Sequence, residues 1–214
     1  MKILKPLLLL LLLLAAQTAR AEGRWTFQVG SGGSQSLPTW LKISQDGYRD
    51  IELTAHYQTR SFSTQAIYYN LKIGYWEDGA AWEFESLHQK LYLTNKPREV
   101  QKFHISHGYN MNTFNRAWEK GSFIYRVGGG FVMTHPETTV RGHAKEDDGG
   151  VKGFYISGLS VQGAVEKRWY VYKDLFASVE AKLTLADAII PVWGGEAHVP
   201  NVALHAIAGL GYRF

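Results

Sequence analysis

Residues 201–214 read Asn-Val-Ala-Leu-His-Ala-Ile-Ala-Gly-Leu-Gly-Tyr-Arg-Phe. Side chains alternate across a strand with period two, so Val202, Leu204, Ala206, Ala208, Leu210, Tyr212 and Phe214 share one face. Asn201, Ala203, His205, Ile207, Gly209, Gly211 and Arg213 share the other. The first face is apolar throughout and closes on two aromatics, the last of them Phe214. A soluble sheet has little reason to end on an exposed aromatic. A transmembrane barrel does, because lipid-facing residues alternate with lumen-facing ones and aromatics collect at the membrane interface.

The same period recurs upstream. It runs through Ile51–Tyr57, Ile67–Tyr75, Lys102–Met111, Phe123–Met133, Leu159–Trp169 and Leu175–Leu185. In Ala81–Leu93, Trp82 and Phe84 mark one face while Leu87, Leu91 and Leu93 mark the other, so either a bulge near Glu85–Leu87 shifts the register or the segment is not the strand it resembles. With the terminal strand these make eight. Arg24–Ser31 and Thr39–Ser44, followed by a Gln45-Asp46-Gly47 turn, could add a pair. The predicted fold is all-β: a closed antiparallel transmembrane β-barrel of eight or ten strands, an even number in either case.

Counting back from a periplasmic Phe214 puts Thr134–Gly153 and Ile190–Pro200 outside the cell and the tight Tyr172-Lys173-Asp174 turn in the periplasm. Short periplasmic turns and longer external loops are the expected asymmetry. Asn112–Gly121 breaks it, as a long periplasmic connection.

Met1–Ala21 reads as a cleavable signal peptide: Lys2 and Lys5, an apolar run from Leu7 to Ala16, then Ala19-Arg20-Ala21 as a small-x-small site. The barrel domain is then 22–214. The formal charge of +4 falls to +1 without Lys2, Lys5 and Arg20, so basicity gives no support for nucleic-acid binding. The chain has no Cys, which excludes disulfides, thiolate metal sites and a lipoprotein anchor. After the signal no apolar run approaches the ~18 residues of a membrane helix, so a membrane-embedded form must be a closed barrel. The 7 Trp, 12 Tyr and 10 Phe all follow Ala21 and suit interfacial girdles.

The expected lumen face carries charges of both signs: Glu52, Lys72, Glu83, Glu85, Lys102, His104, Arg126, Glu166, Arg168, Glu180, Lys182, His205 and Arg213. Unpaired charges there would cost several kcal/mol each. A salt-bridge network of Glu52, Lys72, Glu83, Arg126, Glu166, Arg168, Glu180 and Lys182, filling the barrel, is therefore expected. An eight-stranded barrel is only wide enough for side chains to fill, which disfavours a narrow channel.

One motif could carry chemistry: Phe103-His104-Ile105-Ser106-His107-Gly108. It resembles the His-x-Ser core of the PagL-type lipid A deacylases, small outer-membrane barrels that cleave an acyl ester. The resemblance implies Ser106 as nucleophile and His104 as base. That family has Asn after the Ser, where this chain has His107, and a Glu downstream, for which Glu119 is the nearest candidate. Hairpin pairing around Thr94–Glu99 suggests Glu85 as the orienting carboxylate. By the phase of Phe103, Ile105 and Tyr109, however, His104 and Ser106 point into the lumen, away from lipid, unless a bulge reverses them. In its terminal strand and size the chain resembles the OmpA, OmpX and PagL class. That resemblance implies outer-membrane localisation, a monomer, and recognition of Leu210, Tyr212 and Phe214 by the barrel-assembly machinery.

His104 and His107, on opposite faces of a regular strand, cannot share an ion. His135 and His143 accompany Glu146, Asp147 and Asp148 in a Gly-rich solvated loop. Neither a metal centre nor a cofactor is expected. Lys96, Arg98, Arg141, Lys145 and Lys152 on external loops suit contact with outer-membrane lipid and lipopolysaccharide phosphates. Fold alone does not give function. The leading expectation is a non-enzymatic barrel, structural, adhesive or lipopolysaccharide-contacting; a lipid A ester hydrolase is the alternative, and a narrow channel a second one.

Overall fold

The computed structural model describes residues 23–61, 67–145 and 153–214. Met1–Ala21 lies outside the described residues. Among those described, no helix is long and apolar enough to cross a membrane.

Eight antiparallel strands close a ring: β1 (Arg24–Ser36), β5 (Tyr69–Glu77), β6 (Ala80–Leu93), β7 (Val100–Lys120), β8 (Phe123–Thr134), β11 (Tyr155–Tyr172), β12 (Leu175–Val192) and β14 (Asn201–Arg213). The ring closes where β1 meets β14, from Thr26 opposite Arg213 to Ser36 opposite Ala203. The expected barrel is there, with eight strands. Its membership differs from the expectation: Arg24–Ser36 is a wall strand, whereas Ile51–Ala55 is not.

The ends of the ring are unlike. Asp78-Gly79, Gly121-Ser122 and Lys173-Asp174 join strands at one end in two residues each. Asp78 (φ 51°) and Gly79 (φ 72°) both adopt the left-handed backbone that a tight hairpin of this hand requires. Short turns of this kind mark the periplasmic end in barrels of the outer-membrane type. The expected long connection at Asn112–Gly121 does not exist: β7 runs unbroken to Lys120 and pairs with β8 down to Phe123. Asn115 and Ala117 face in while Phe114 and Arg116 face out, so the Asn-rich stretch is ordinary wall.

At the other end the chain makes long excursions. β2 (Thr39–Gln45), β3 (Ile51–Ala55) and β13 (Gly195–His198) extend a sheet from the far end of β12. β4 (Tyr57–Gln58) lies against β6, β9 (Glu137–Val140) against the first part of β7, and β10 (His143–Ala144) against β9. Together they form a cap outside the membrane.

Along the wall the outward residues are apolar. Trp82, Phe114, Leu159, Ile156, Leu210 and Phe214 are half or more exposed, Ile156 to 78%. A continuous apolar belt of this kind is what the lipid-facing wall of an outer-membrane barrel presents. Trp25, Tyr75, Trp169, Tyr172, Tyr212 and Phe214 gather near the periplasmic end, as an interfacial girdle does.

The interior is layered. Nearest the periplasm lie Lys72, Arg126, Arg168 and Lys182 with Glu83, Glu85, Glu166 and Glu180, four cations against four anions. Arg126 binds Glu83 (2.5 Å), Glu166 (2.9 Å) and Glu180 (2.6 Å). Lys72 bridges Glu166 (3.1 Å) and Glu180, and Lys182 pairs with Glu85. Glu52 is absent from this network. It sits exposed on β3 near Lys42 (3.8 Å), because β3 belongs to the cap. Arg213 instead binds Asp174 (3.2 Å) at the periplasmic end.

Above the charges comes a neutral polar layer: Gln89 donates to Asn201 (2.9 Å), Asn201 to Ser36 (3.0 Å), and His205 bridges Tyr68 (2.8 Å) and Thr184 (2.9 Å). Higher still the interior is apolar, built from Leu41, Ile43, Leu91, Phe103, Ile105 and Ile190 among others. β6 runs through all three layers. Glu83, Glu85, Leu87, Gln89, Leu91 and Leu93 all face inward, and its pairing through Glu85–Leu87 is unshifted on both sides. The expected bulge there does not exist. The strand keeps its phase and the interior changes chemistry.

Candidate active site

That change of chemistry reverses the face of the His-x-Ser motif. Phe103, Ile105 and Tyr109 are fully buried in the cap core, so the inward face of β7 here is the apolar one. His104 and Ser106 therefore lie on the outer wall, and so does Lys102, all three contrary to the lumen assignment.

A bulge accompanies them. Gln89 pairs with Tyr109 and Leu91 with Ile105, leaving Lys90 alone opposite Ser106, His107 and Gly108. Gly108 has φ 124°, which L side chains rarely adopt, and a Cβ there would strike the side chains of Asn110 and His88. Bulges re-aim side chains. This one turns His107 outward, half exposed, although its odd number would otherwise put it inside.

β9 supplies the carboxylate. It pairs with β7 so that Glu137 stands opposite His104. Thr138 and Val140 are buried, which leaves Glu137 and Thr139 on the outer face. The Ser106 hydroxyl donates to Glu137 Oε1. His107 Nδ1 lies 3.4 Å from Ser106 Oγ and 3.2 Å from the same carboxylate oxygen. Lys102 Nζ holds the other oxygen at 2.5 Å. Burial alone would raise the Glu137 carboxyl, but Lys102 outweighs it and keeps the group below the usual carboxylate range.

His104 sits on this face with its ring edge-on to Tyr92, centroids 4.8 Å apart. Burial, then the charges of Lys102 and Lys96, hold its imidazole below the ordinary histidine value. The imidazole against Ser106 is thus His107. Glu85 takes no part: it lies inside the barrel, accepting from Asn70, Asn115 (3.2 Å), Gln162 (2.7 Å) and Lys182. It pairs with Thr113 rather than with the motif. Glu119 is at the periplasmic end of β7.

His135 packs on His107 (4.5 Å) and Phe154 (5.0 Å), while His143 stacks on Trp193 (3.8 Å), so the two loop histidines are separate. Glu146, Asp147, Asp148 and Lys152 lie outside the described residues. Among those described, no group of three or more His, Asp or Glu is placed to hold a metal ion.

The row beneath the Ser106 bulge runs Tyr69, His88, Asn110, Met133 and Ile156 around the barrel: Tyr69 stacks on His88 (4.7 Å), His88 bonds Asn110 (2.6 Å), and Ile156 is exposed apolar wall. A hydroxyl, an imidazole and a carboxylate in mutual contact are the groups that activate a nucleophile. Two of the three were missed in sequence. Val140 in the Glu137-Thr138-Thr139-Val140 run carried the face of Glu137, but not the pairing of β9 with β7.

No protein-family model and no curated protein matches the chain. Among solved structures it is similar to the outer membrane protein AlkL, determined by solid-state NMR in DMPC bilayers: 13% identity, TM-score 0.51, covering 90% of each chain. It is also similar to Ail, the attachment invasion locus protein of Yersinia pestis (10% identity, TM-score 0.42, 90% of this chain and 97% of that one). OprG from Pseudomonas aeruginosa matches at 10% identity and TM-score 0.41, over 90% and 94%. The fold is that of the small Gram-negative outer-membrane β-barrels, the class residues 201–214 pointed to.

Proposed function

We propose that this protein is an outer-membrane ester hydrolase that removes an acyl chain from an outer-leaflet lipid, with lipopolysaccharide as the leading substrate. One observation carries the reading: Ser106, His107 and Glu137 meet on the outer face of β7 and β9. An acyl chain lying along Met133 and Ile156 would bring its ester up to Ser106.

In this reading Ser106 Oγ attacks the ester carbonyl, and His107 takes the hydroxyl proton and returns it to the departing alcohol. Water then releases the fatty acid by the reverse exchange. Glu137 stabilises the imidazolium, and Lys102 keeps Glu137 ionised. Ser106 and Glu137 share His107 Nδ1, so the relay needs the ring to turn when substrate binds; catalytic hydrogen bonds often tighten only then. Export through the Met1–Ala21 signal belongs to the same proposal.

A second reading, a non-enzymatic adhesive barrel, draws support from the cap itself. Its sheet is braced by an apolar core and displays Trp40, Tyr48 and Trp193. Mass spectrometry of lipid A from cells overproducing the protein decides between them. Loss of one acyl chain, restored by Ser106→Ala, is expected. An unchanged lipid profile rejects the hydrolase and leaves the adhesive reading.

A further inference from the structure

Two residues on either side of Pro136 converge on one imidazole. Glu137 Oε1 lies 3.2 Å from His107 Nδ1. The His135 ring packs on the His107 ring with centroids 4.5 Å apart and planes 30° from parallel. Proline fixes its own φ and biases the residue before it towards extended backbone. The His135-Pro136-Glu137 run is therefore a stiff bridge from the end of β8 to the start of β9. It delivers a ring and a carboxylate to the same target.

His135 is itself held from three directions. Its amide donates to the Gly108 carbonyl at the bulge (3.3 Å), which ties it to the strand that carries Ser106 and His107. Phe154 meets its ring edge-on, centroids 5.0 Å apart. Gly153 lies so close that a Cβ there would come within 2.5 Å of the ring. The glycine is needed for space, since any side chain would push the ring towards His107. His135 is 4% exposed, whereas the His107 side chain is 58% exposed. A half-exposed side chain samples several rotamers unless packing selects one. Here a buried, clamped ring backs an exposed one.

We propose that His135 is a positioning residue for His107: clamped by Gly153 and Phe154, it holds the imidazole plane in which Nδ1 meets Ser106 and Glu137. This rests on the hydrolase reading and deepens it by assigning what sets the ring that the proton exchange uses. The entry to β11, through Gly153 and Phe154, thereby acts on the reaction by way of two stacked rings.

The test uses the full chain refolded in detergent, with a p-nitrophenyl ester of a medium-chain fatty acid as substrate. His135→Ala is expected to lower kcat about ten- to a hundredfold, as misplacement of a reacting group does, with KM held within about twofold. His135→Phe, which keeps a flat ring in the clamp, should recover most of that loss. Gly153→Ala, which drives a methyl group into the ring from the far side, should lower kcat in the same way as His135→Ala. Heat-modifiable gel migration reports that each variant is folded. An equal loss in the Phe and Ala variants would mean that the His135 imidazole acts by its own chemistry, and would overturn the positioning role. Unchanged kcat in both His135→Ala and Gly153→Ala would overturn it as well. Side-chain nitrogen NMR of His107, assigned through His107→Gln, reads the ring without any turnover. Its hydrogen-bonded Nδ1 signal should vanish in His135→Ala and persist in His135→Phe. A signal that persists in His135→Ala means that His135 only packs the cap, and rejects the proposal. If the wild type cleaves no ester, the hydrolase reading falls, and the same signals still decide whether His135 sets the His107 ring.

Discussion

The membrane-spanning half of the ring and the cap above it are inside-out versions of one another. In the lower half of β6, Glu83 and Glu85 face in and Trp82 and Phe84 face out; in its upper half Leu91 and Leu93 face in and Lys90 faces out. β7 makes the same exchange, from Asn115 inside and Phe114 outside to Ile105 inside and Ser106 outside. β6 keeps its alternation through the switch and β7 recovers its own after the bulge, while the surroundings change. Hydrocarbon outside requires an apolar wall and permits a charged interior if it is paired; water outside requires a polar wall and an apolar core. A period-two pattern gives the phase of a strand. It does not say which phase faces in.

The comparison breaks most severely at Arg126. Arg126→Leu strands Glu83, Glu166 and Glu180 around a missing cation, and about 3–5 kcal/mol should be lost, as when one member of a buried network is removed. Loss of heat-modifiable migration in the outer-membrane fraction would show it. If the variant folds normally, the network is not what fills the barrel.

Leu91→Ala strikes the other half. A buried leucine truncated in a packed core costs about 2–5 kcal/mol, and the damage should stay in the cap. Limited proteolysis from outside the cell should cut the cap while the ring remains heat-modifiable. Simultaneous loss of both would show that the halves fold as one unit.

A Lys at an outward position should separate the two environments. Phe114→Lys places a charge in the lipid belt and should cost about 2–4 kcal/mol if it lies near mid-bilayer. Thr54→Lys, outward on β3, should stay within about 0.5 kcal/mol. Similar costs in denaturant titrations would mean that the cap is not in water.

The smallest effect concerns pH. The folded Glu137 carboxyl lies below its unfolded value, so its contribution is present above the unfolded value and is lost only as pH falls through the folded one. The contact between β9 and β7 should therefore persist into the ordinary carboxylate range and loosen below it. Protease sensitivity of β9 against pH would follow this. Loosening near neutral pH would argue against the Lys102–Glu137 pair.

Much of the fold was legible where one environment rules a whole strand. Residues 201–214 and 175–185 alternate under lipid throughout, and both were read correctly. Reading failed where a strand crosses from one environment to the other. Leu87 and Leu91 looked like a register shift because apolar was equated with lipid-facing. For the same reason Ile105 and Tyr109 put His104 and Ser106 in the lumen. Ile51–Ala55 passed for a wall strand because a sheet packed on an apolar core alternates just as a barrel wall does. The site itself was half visible. Ser106 stood out in the motif, but the place of His107 beside it depended on a bulge that only Gly108 hinted at, and that of Glu137 on a strand pairing that local sequence does not encode.

β7 runs in unbroken register from Trp118, opposite Ala80, to Tyr109, opposite Gln89, and its bulge then sets Ser106 level with Lys90. Those ten ladder steps, at about 3.3 Å each and a tilt near 40°, raise Ser106 roughly 25 Å above Trp118, close to the height of the apolar band of such a barrel. The strand acts as a depth gauge. Whatever Ser106 meets is selected first by how far its bond stands from the opposite face of the bilayer, before any contact reads its shape.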